Sequence, residues 1–124
     1  MRIAALITLL NVLVASGFSI AGLVRPELIV PAGATPSSAS AIFAMYAAAR
    51  TLPLAVAVIL AIALGSPAAL LVLGSLAGVI QCLDSTVGAL NGDLGKAIGP
   101  LVLACLQAYA MLRLRKATRS VPKA

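Results

Sequence analysis

The sequence contains no histidine and no tryptophan, and it has only 3 acidic residues against 9 basic ones. Each shortage removes a class of function. Without histidine, the chain lacks the usual ligand for haem, zinc or copper and the usual general base at neutral pH. The two cysteines, Cys82 and Cys105, stand far apart in apolar surroundings with no CxxC spacing. They point to neither a zinc site nor a redox motif. No metal and no other cofactor is therefore expected. Aromatic residues make up 3% of the chain, so Tyr46 and Tyr109 are the only interfacial anchors with a polar tip. Charge is scarce as well: 10% of residues carry one, where a soluble domain has roughly 25%.

What remains is apolar side chain, 62% of 124 residues. That length corresponds to one domain, spanning residues 1–124. A soluble core of this size cannot bury so much apolar surface, and the surplus has to face lipid. The net charge of +6 would hint at nucleic acid if it were spread over one face. Instead Arg113, Arg115, Lys116, Arg119 and Lys123 crowd the end of the chain, with no aromatic residue among them. This basic tail, residues 113–124, reads as a cytoplasmic flank drawn to anionic lipid headgroups, and nucleic acid is not expected as a partner.

Four spans can be read along the chain, over about residues 3–24, 40–64, 67–90 and 96–112, by charge-free length and breaker residues. Ile3 to Val24 carries no charge. A cleaved signal peptide competes for this segment, with its basic start and the small residues of "VASG". The run exceeds the about 7–15 residues of a signal core, so a retained helix is expected. "RPELIVPAGATPSSAS" then breaks the helix with proline, glycine and serine, and its last serines are suited to cap the next one. Its "ELIVPAG" portion is apolar enough to lie along a membrane surface. "GSP" at Gly65 to Pro67 divides the next apolar run, since glycine ends a helix and proline fits the first turn of another. "NGDLG" closes the third helix, and the fourth runs from Lys96 to the basic tail at Leu112.

The resulting fold class is all-α, an integral membrane four-helix up-down bundle. Four spans put both termini on one side. Arg2 and the basic tail outweigh Arg25 and Lys96 in the opposite loops, so the positive-inside rule places both termini in the cytoplasm of an inner-membrane protein. Two GxxxG patterns, Gly74 to Gly78 and Gly95 to Gly99, are expected to line helix seams, where small residues let backbones approach closely.

One polar feature stands out. Arg50 is the only charge between Glu27 and Asp84. It lies about 15 residues before the "GSP" turn, and Asp84 lies about 17 after it, so a helical hairpin brings both to nearly the same depth. That depth is roughly 22–26 Å from the turn, in the outer half of a bilayer. An unpaired charge there costs at least ~2.5 kcal/mol on insertion scales, and a bidentate bond cancels much of it. A buried Arg50–Asp84 ion pair is therefore expected. Tyr46, four residues before Arg50, and Gln81 and Ser85, at helical spacing around Asp84, are expected to share its site. Pro53 is expected to free the carbonyl of Ala49 and kink the second helix. Asn11 and Gln107 are further buried polar residues, set nearer the cytoplasmic side and away from the pair.

With Arg25-Pro26-Glu27 ending the first helix, Ala49-Arg50-Thr51, Asp84-Ser85 and the glycine-rich stretch from Gly92 to Gly99, the chain resembles the small four-helix membrane proteins of the DoxX-like superfamily. The resemblance covers nearly the whole chain through short motifs. It implies the four-helix membrane architecture, and most allied families carry no assigned activity. Within that frame the expected role is a multi-pass accessory protein, or a binder of a hydrophobic, lipid-like or anionic small ligand, organised around Arg50 and Asp84. The alternatives are a small dimeric transporter of the small-multidrug-resistance type, or a membrane enzyme acting on a hydrophobic substrate. A homo-oligomer fits any of these readings. The competing account of the pair is that it only fixes helix register, or that both side chains snorkel to the surface.

Overall fold

The computed structural model describes residues 1–31 and 33–119, so Ala32 of the "ELIVPAG" segment and Lys123 of the basic tail lie outside the described residues. Four long helices account for most of it: α1 (Arg2–Val24), α2 (Ser38–Ala63), α3 (Pro67–Leu90) and α4 (Leu94–Arg119). A single 3-10 turn, Pro26–Leu28, follows α1, and no strand occurs among the described residues. All four helices are long and apolar enough to cross a membrane.

The helix ends follow from local chemistry. Ser37 caps α2: its Oγ accepts from the Ser40 N–H at 3.2 Å, while Ser40 Oγ accepts from the Ser37 N–H at 2.8 Å. This reciprocal box moves the start of α2 two residues ahead of Ser40. Ser66 caps α3 by accepting from the Ala69 N–H, with Pro67 as its first residue. The turns after α2 and α3 share one design. Gly65 and Gly92 adopt φ of 61° and 67°. Ser66 N donates to Ala61 O and Asp93 N to Gly88 O, the six-residue closure of a Schellman motif. Asp93 then caps α4 through its Oδ1, which accepts from the Lys96 N–H at 3.1 Å, so α4 begins at Leu94 rather than Lys96.

The other end of α4 departs from expectation. The helix does not stop at Leu112 but continues through Arg113, Arg115, Lys116 and Arg119. Lysine and arginine are good helix formers, and their charge suits a helix C-terminus. Buried Leu114 pins this extension to the bundle. Pro53 and Pro100 both sit inside helices that run on past them.

Neighbouring helices are antiparallel. On α3 and α4, Gly88 lies against Lys96, Ser85 bonds Ala97, Gly78 faces Gln107 and Gly74 faces Met111, so one number rises as the other falls. The tightest pairs are α3 with α4 and α1 with α2; α2 and α3 touch much less. Inside the seams the residues are small or polar, as Gly74, Ala77, Gln81, Ser85 and Gly88 on α3 illustrate. The large apolar side chains point the other way: Leu6, Phe43, Val72 and Leu83 are each at least 60% exposed. Soluble monomers rarely show such a belt, whereas membrane bundles bury small residues and leave bulky ones to lipid. The Gly74–Gly78 pattern is a true seam. The Gly95–Gly99 pattern is not, because a side chain added at Gly99 would meet nothing within 4 Å.

Candidate functional site: a charged cleft between the two hairpins

At the end of the bundle carrying the Arg25–Ser37 loop, a half-open cleft of about 810 Å³ lies between the α1–α2 and α3–α4 pairs. All four helices contribute to its walls. Ile29 and Pro31, from the loop after α1, form part of its wall. Ile29 also packs onto α1, where its Cγ2 fills the space a Cβ at Gly22 would need. The lining is mainly apolar, interrupted by Arg50, Asp84, Asp93 and Lys96.

Arg50 and Asp84 do meet. Arg50 Nη2 donates to Asp84 Oδ1 at 3.4 Å, which joins α2 to α3 across their thin seam. Two features differ from expectation. The bond is single and long rather than bidentate, and the side chains are 52% and 40% exposed rather than buried. The looseness of the α2–α3 contact explains both, since no neighbouring helix packs over the pair to compress it.

The companions assigned to the pair by spacing separate from it. Tyr46 is 69% exposed, has no hydrogen bond among the described residues, and does not line the cleft. It shares the outer flank of α2 with Arg50, but only the long arginine chain can reach sideways to α3. Ser85 instead donates to the Ala97 carbonyl at 2.7 Å and ties α3 to α4. Gln81 is buried and donates through Nε2 to Asn11 Oδ1 at 2.8 Å, away from Asp84. Gln81 and Asp84 differ by about 60° around the helix, enough to send them to different neighbours.

Gln81 therefore belongs to a network that spacing alone did not assemble. Asn11 Nδ2 donates to Gln107 Oε1 at 3.1 Å, and Gln107 Nε2 donates to Thr8 Oγ1 at 2.8 Å. This chain joins α1, α3 and α4. As expected, Asn11 and Gln107 have no hydrogen bond to the ion pair, yet their network reaches the cleft wall through Gln81. On the α1–α2 side, Thr51 Oγ1 lies 3.0 Å from Ser19 Oγ, and Ser16 donates to the Thr51 carbonyl at 3.4 Å. No buried side-chain nitrogen or oxygen among the described residues lacks a partner. In a low-dielectric setting this completeness matters, because an orphaned polar group is costly.

A second charged pair was missed from sequence. Lys96 Nζ lies 3.0 Å from Asp93 Oδ2 and donates to the Val30 carbonyl at 3.1 Å, linking the start of α4 to the loop after α1. Asp93 sits in the turn between α3 and α4. Its carboxyl is held below the usual carboxylate range, first by the hydrogen bond from the Lys96 backbone N–H and then by the Lys96 side chain. The available signal was the Asp-x-x-Lys spacing just after a glycine turn. Among the described residues no group of histidine, cysteine or acidic side chains is placed to hold a metal ion. Both cysteines are exposed on the outer faces of the bundle.

No family model, curated protein or solved structure matches the chain.

Proposed function

We propose that this chain is a multi-pass inner-membrane protein that binds a lipid-like or anionic small ligand in the cleft around Arg50 and Asp84. A single observation carries this reading: a charged pair bridges a thin seam between two helices long and apolar enough to cross a membrane, on the wall of an 810 Å³ cleft that is otherwise largely apolar. Small-ligand sites range over about 300–1,000 Å³ and combine apolar walls with a few fixed polar groups. Ionisable side chains within membrane spans mark functional sites by default. The architecture is the one implied by the DoxX-like resemblance, which forms part of the same proposal.

Orientation belongs to this reading. Arg2, Arg113, Arg115, Lys116 and Arg119 occupy the end of the bundle that carries the termini. All three acidic residues, Glu27, Asp84 and Asp93, lie towards the opposite end. The positive-inside rule then sets the termini in the cytoplasm and opens the cleft towards the outer leaflet. A cytoplasm-active reporter fused after Ala124 is expected to be active, and a periplasm-active reporter silent. The reverse pattern would place the cleft in the inner leaflet.

Binding is tested by native mass spectrometry after gentle detergent extraction. The wild-type protein is expected to carry a bound amphiphile that Arg50→Gln combined with Asp84→Asn loses, while helical content by circular dichroism is unchanged. Equal ligand retention by the double variant would remove the cleft from consideration.

A further inference from the structure

The charge balance of the cleft, taken together with its unfilled hydrogen-bonding groups, narrows the ligand class. The argument rests on the binding reading above. Four ionisable side chains line the cleft, Arg50 and Lys96 against Asp84 and Asp93, and their formal charges cancel. A guest with a net charge would leave that charge uncompensated in a low-dielectric space, which is expensive. A guest that is apolar throughout would leave the polar groups without new partners. A guest carrying both signs avoids both costs.

The unfilled groups have matching signs. Arg50 makes one hydrogen bond among the described residues, to Asp84. A guanidinium has five N–H donors, so most of those on Arg50 remain open at a half-exposed position. They suit a two-oxygen anion approached side-on. Asp84 accepts only the single 3.4 Å bond and has oxygen lone pairs to spare. One helical turn away, Gln81 uses its amide N–H towards Asn11 and leaves its Oε1 without a hydrogen bond. Since no buried side-chain oxygen among the described residues lacks a partner, that oxygen borders open space, and Gln81 lines the cleft. A carboxylate and an amide oxygen that both line the cleft, from residues one helical turn apart, offer two acceptors to an ammonium group. The Arg50–Asp84 bond, being long and single, is easily exchanged for these shorter charge-assisted contacts.

We infer that the cleft recognises a zwitterion bearing an oxyanion, set against Arg50, and an amine, set against Asp84 and Gln81. The thin α2–α3 seam beside the pair offers an acylated version of such a guest a sideways route from the bilayer.

The experiment measures thermal stabilisation of the purified protein in a neutral detergent, with four added probes. These are phosphatidylethanolamine, phosphatidylglycerol, diacylglycerol and water-soluble phosphoethanolamine. Phosphatidylethanolamine is expected to bind at least about tenfold more tightly than phosphatidylglycerol or diacylglycerol. Arg50→Gln and Asp84→Asn are each expected to erase that preference, and Gln81→Leu to weaken it. Stabilisation by phosphoethanolamine equal to that by the lipid would assign the same chemistry to a soluble zwitterion; stabilisation by the lipid alone assigns it to a headgroup. An equal or better effect from phosphatidylglycerol or diacylglycerol overturns the zwitterion while leaving a ligand site in place. Unchanged preference in both charge variants overturns it too. Stabilisation by none of the probes, with no co-purifying amphiphile, defeats the underlying binding reading instead.

Discussion

Gln107→Leu is expected to lower unfolding stability by about 2–3 kcal/mol, among the largest effects of any single polar substitution in the chain. Gln107 is fully buried and holds two partners from α1, Asn11 and Thr8. Leucine has a similar volume, so the cost arises from the groups left behind. Each stranded buried donor or acceptor costs about 1–3 kcal/mol. Thr8 can recover part of this by turning its hydroxyl to the carbonyl one turn earlier in α1. Asn11 loses the one acceptor that its amide N–H has among the described residues. Measured hydrogen bonds between membrane helices average about 0.6 kcal/mol, and the prediction exceeds that because it concerns orphaned groups rather than a pair removed together. The comparison that isolates this mechanism replaces all four members: Thr8→Val, Asn11→Leu, Gln81→Leu and Gln107→Leu. The combined variant is expected to lose clearly less than the sum of the four single losses, since no partner is then left unpaired. The measurement is equilibrium unfolding in mixed micelles. Strictly additive losses would mean that the four side chains act independently.

Gly88→Ala should destabilise by about 1–3 kcal/mol, the range for overpacking a filled interface. A Cβ at Gly88 would run into the backbone of Lys96 and Ala97 on α4, and backbone cannot rotate aside as a side chain can. The helices would have to part at the point where Ser85 bonds the Ala97 carbonyl. Gly99→Ala is the matched control. It places the same methyl where nothing lies within 4 Å, in a helix interior where alanine is favoured over glycine by roughly 0.8–1 kcal/mol. Stabilisation by Gly99→Ala alongside loss by Gly88→Ala would show that close approach, and not glycine content, holds the α3–α4 seam. Similar effects from both would contradict the tight contact. Gly74 is an intermediate case, because an added Cβ there meets the Met111 and Gln107 side chains, and methionine can move whereas Gln107 is held by its network.

These substitutions also mark where reading the sequence works and where it fails. The two glycine patterns look alike as strings. Gly74 and Gly78 face α4, while Gly99 borders open space. Likewise Gln81, Asp84 and Ser85 sit within one turn, yet they go to α1, α2 and α4 respectively. Spacing along a helix specifies a face about 60° wide or more. Around a residue buried among three other helices, that arc covers more than one neighbour.

The sequence by itself determined the quantities that depend on composition and one-dimensional order. Scarce charge and long uncharged runs required four apolar helices, glycine and proline in "GSP" and "NGDLG" positioned the turns, and the hairpin count brought Arg50 to the level of Asp84. Helix rise is a constant, so depth can be counted from a turn. Only the tertiary structure decided how each helix is rotated and how closely it is packed. Rotation joined Asn11, Gln81, Gln107 and Thr8 into one network, turned Tyr46 outward and brought Lys96 to the cleft wall. Loose packing between α2 and α3 left the Arg50–Asp84 pair half-exposed instead of buried. Neither property is local: both are set by the simultaneous fit of four helical surfaces, to which every seam residue contributes and which no single stretch of chain encodes.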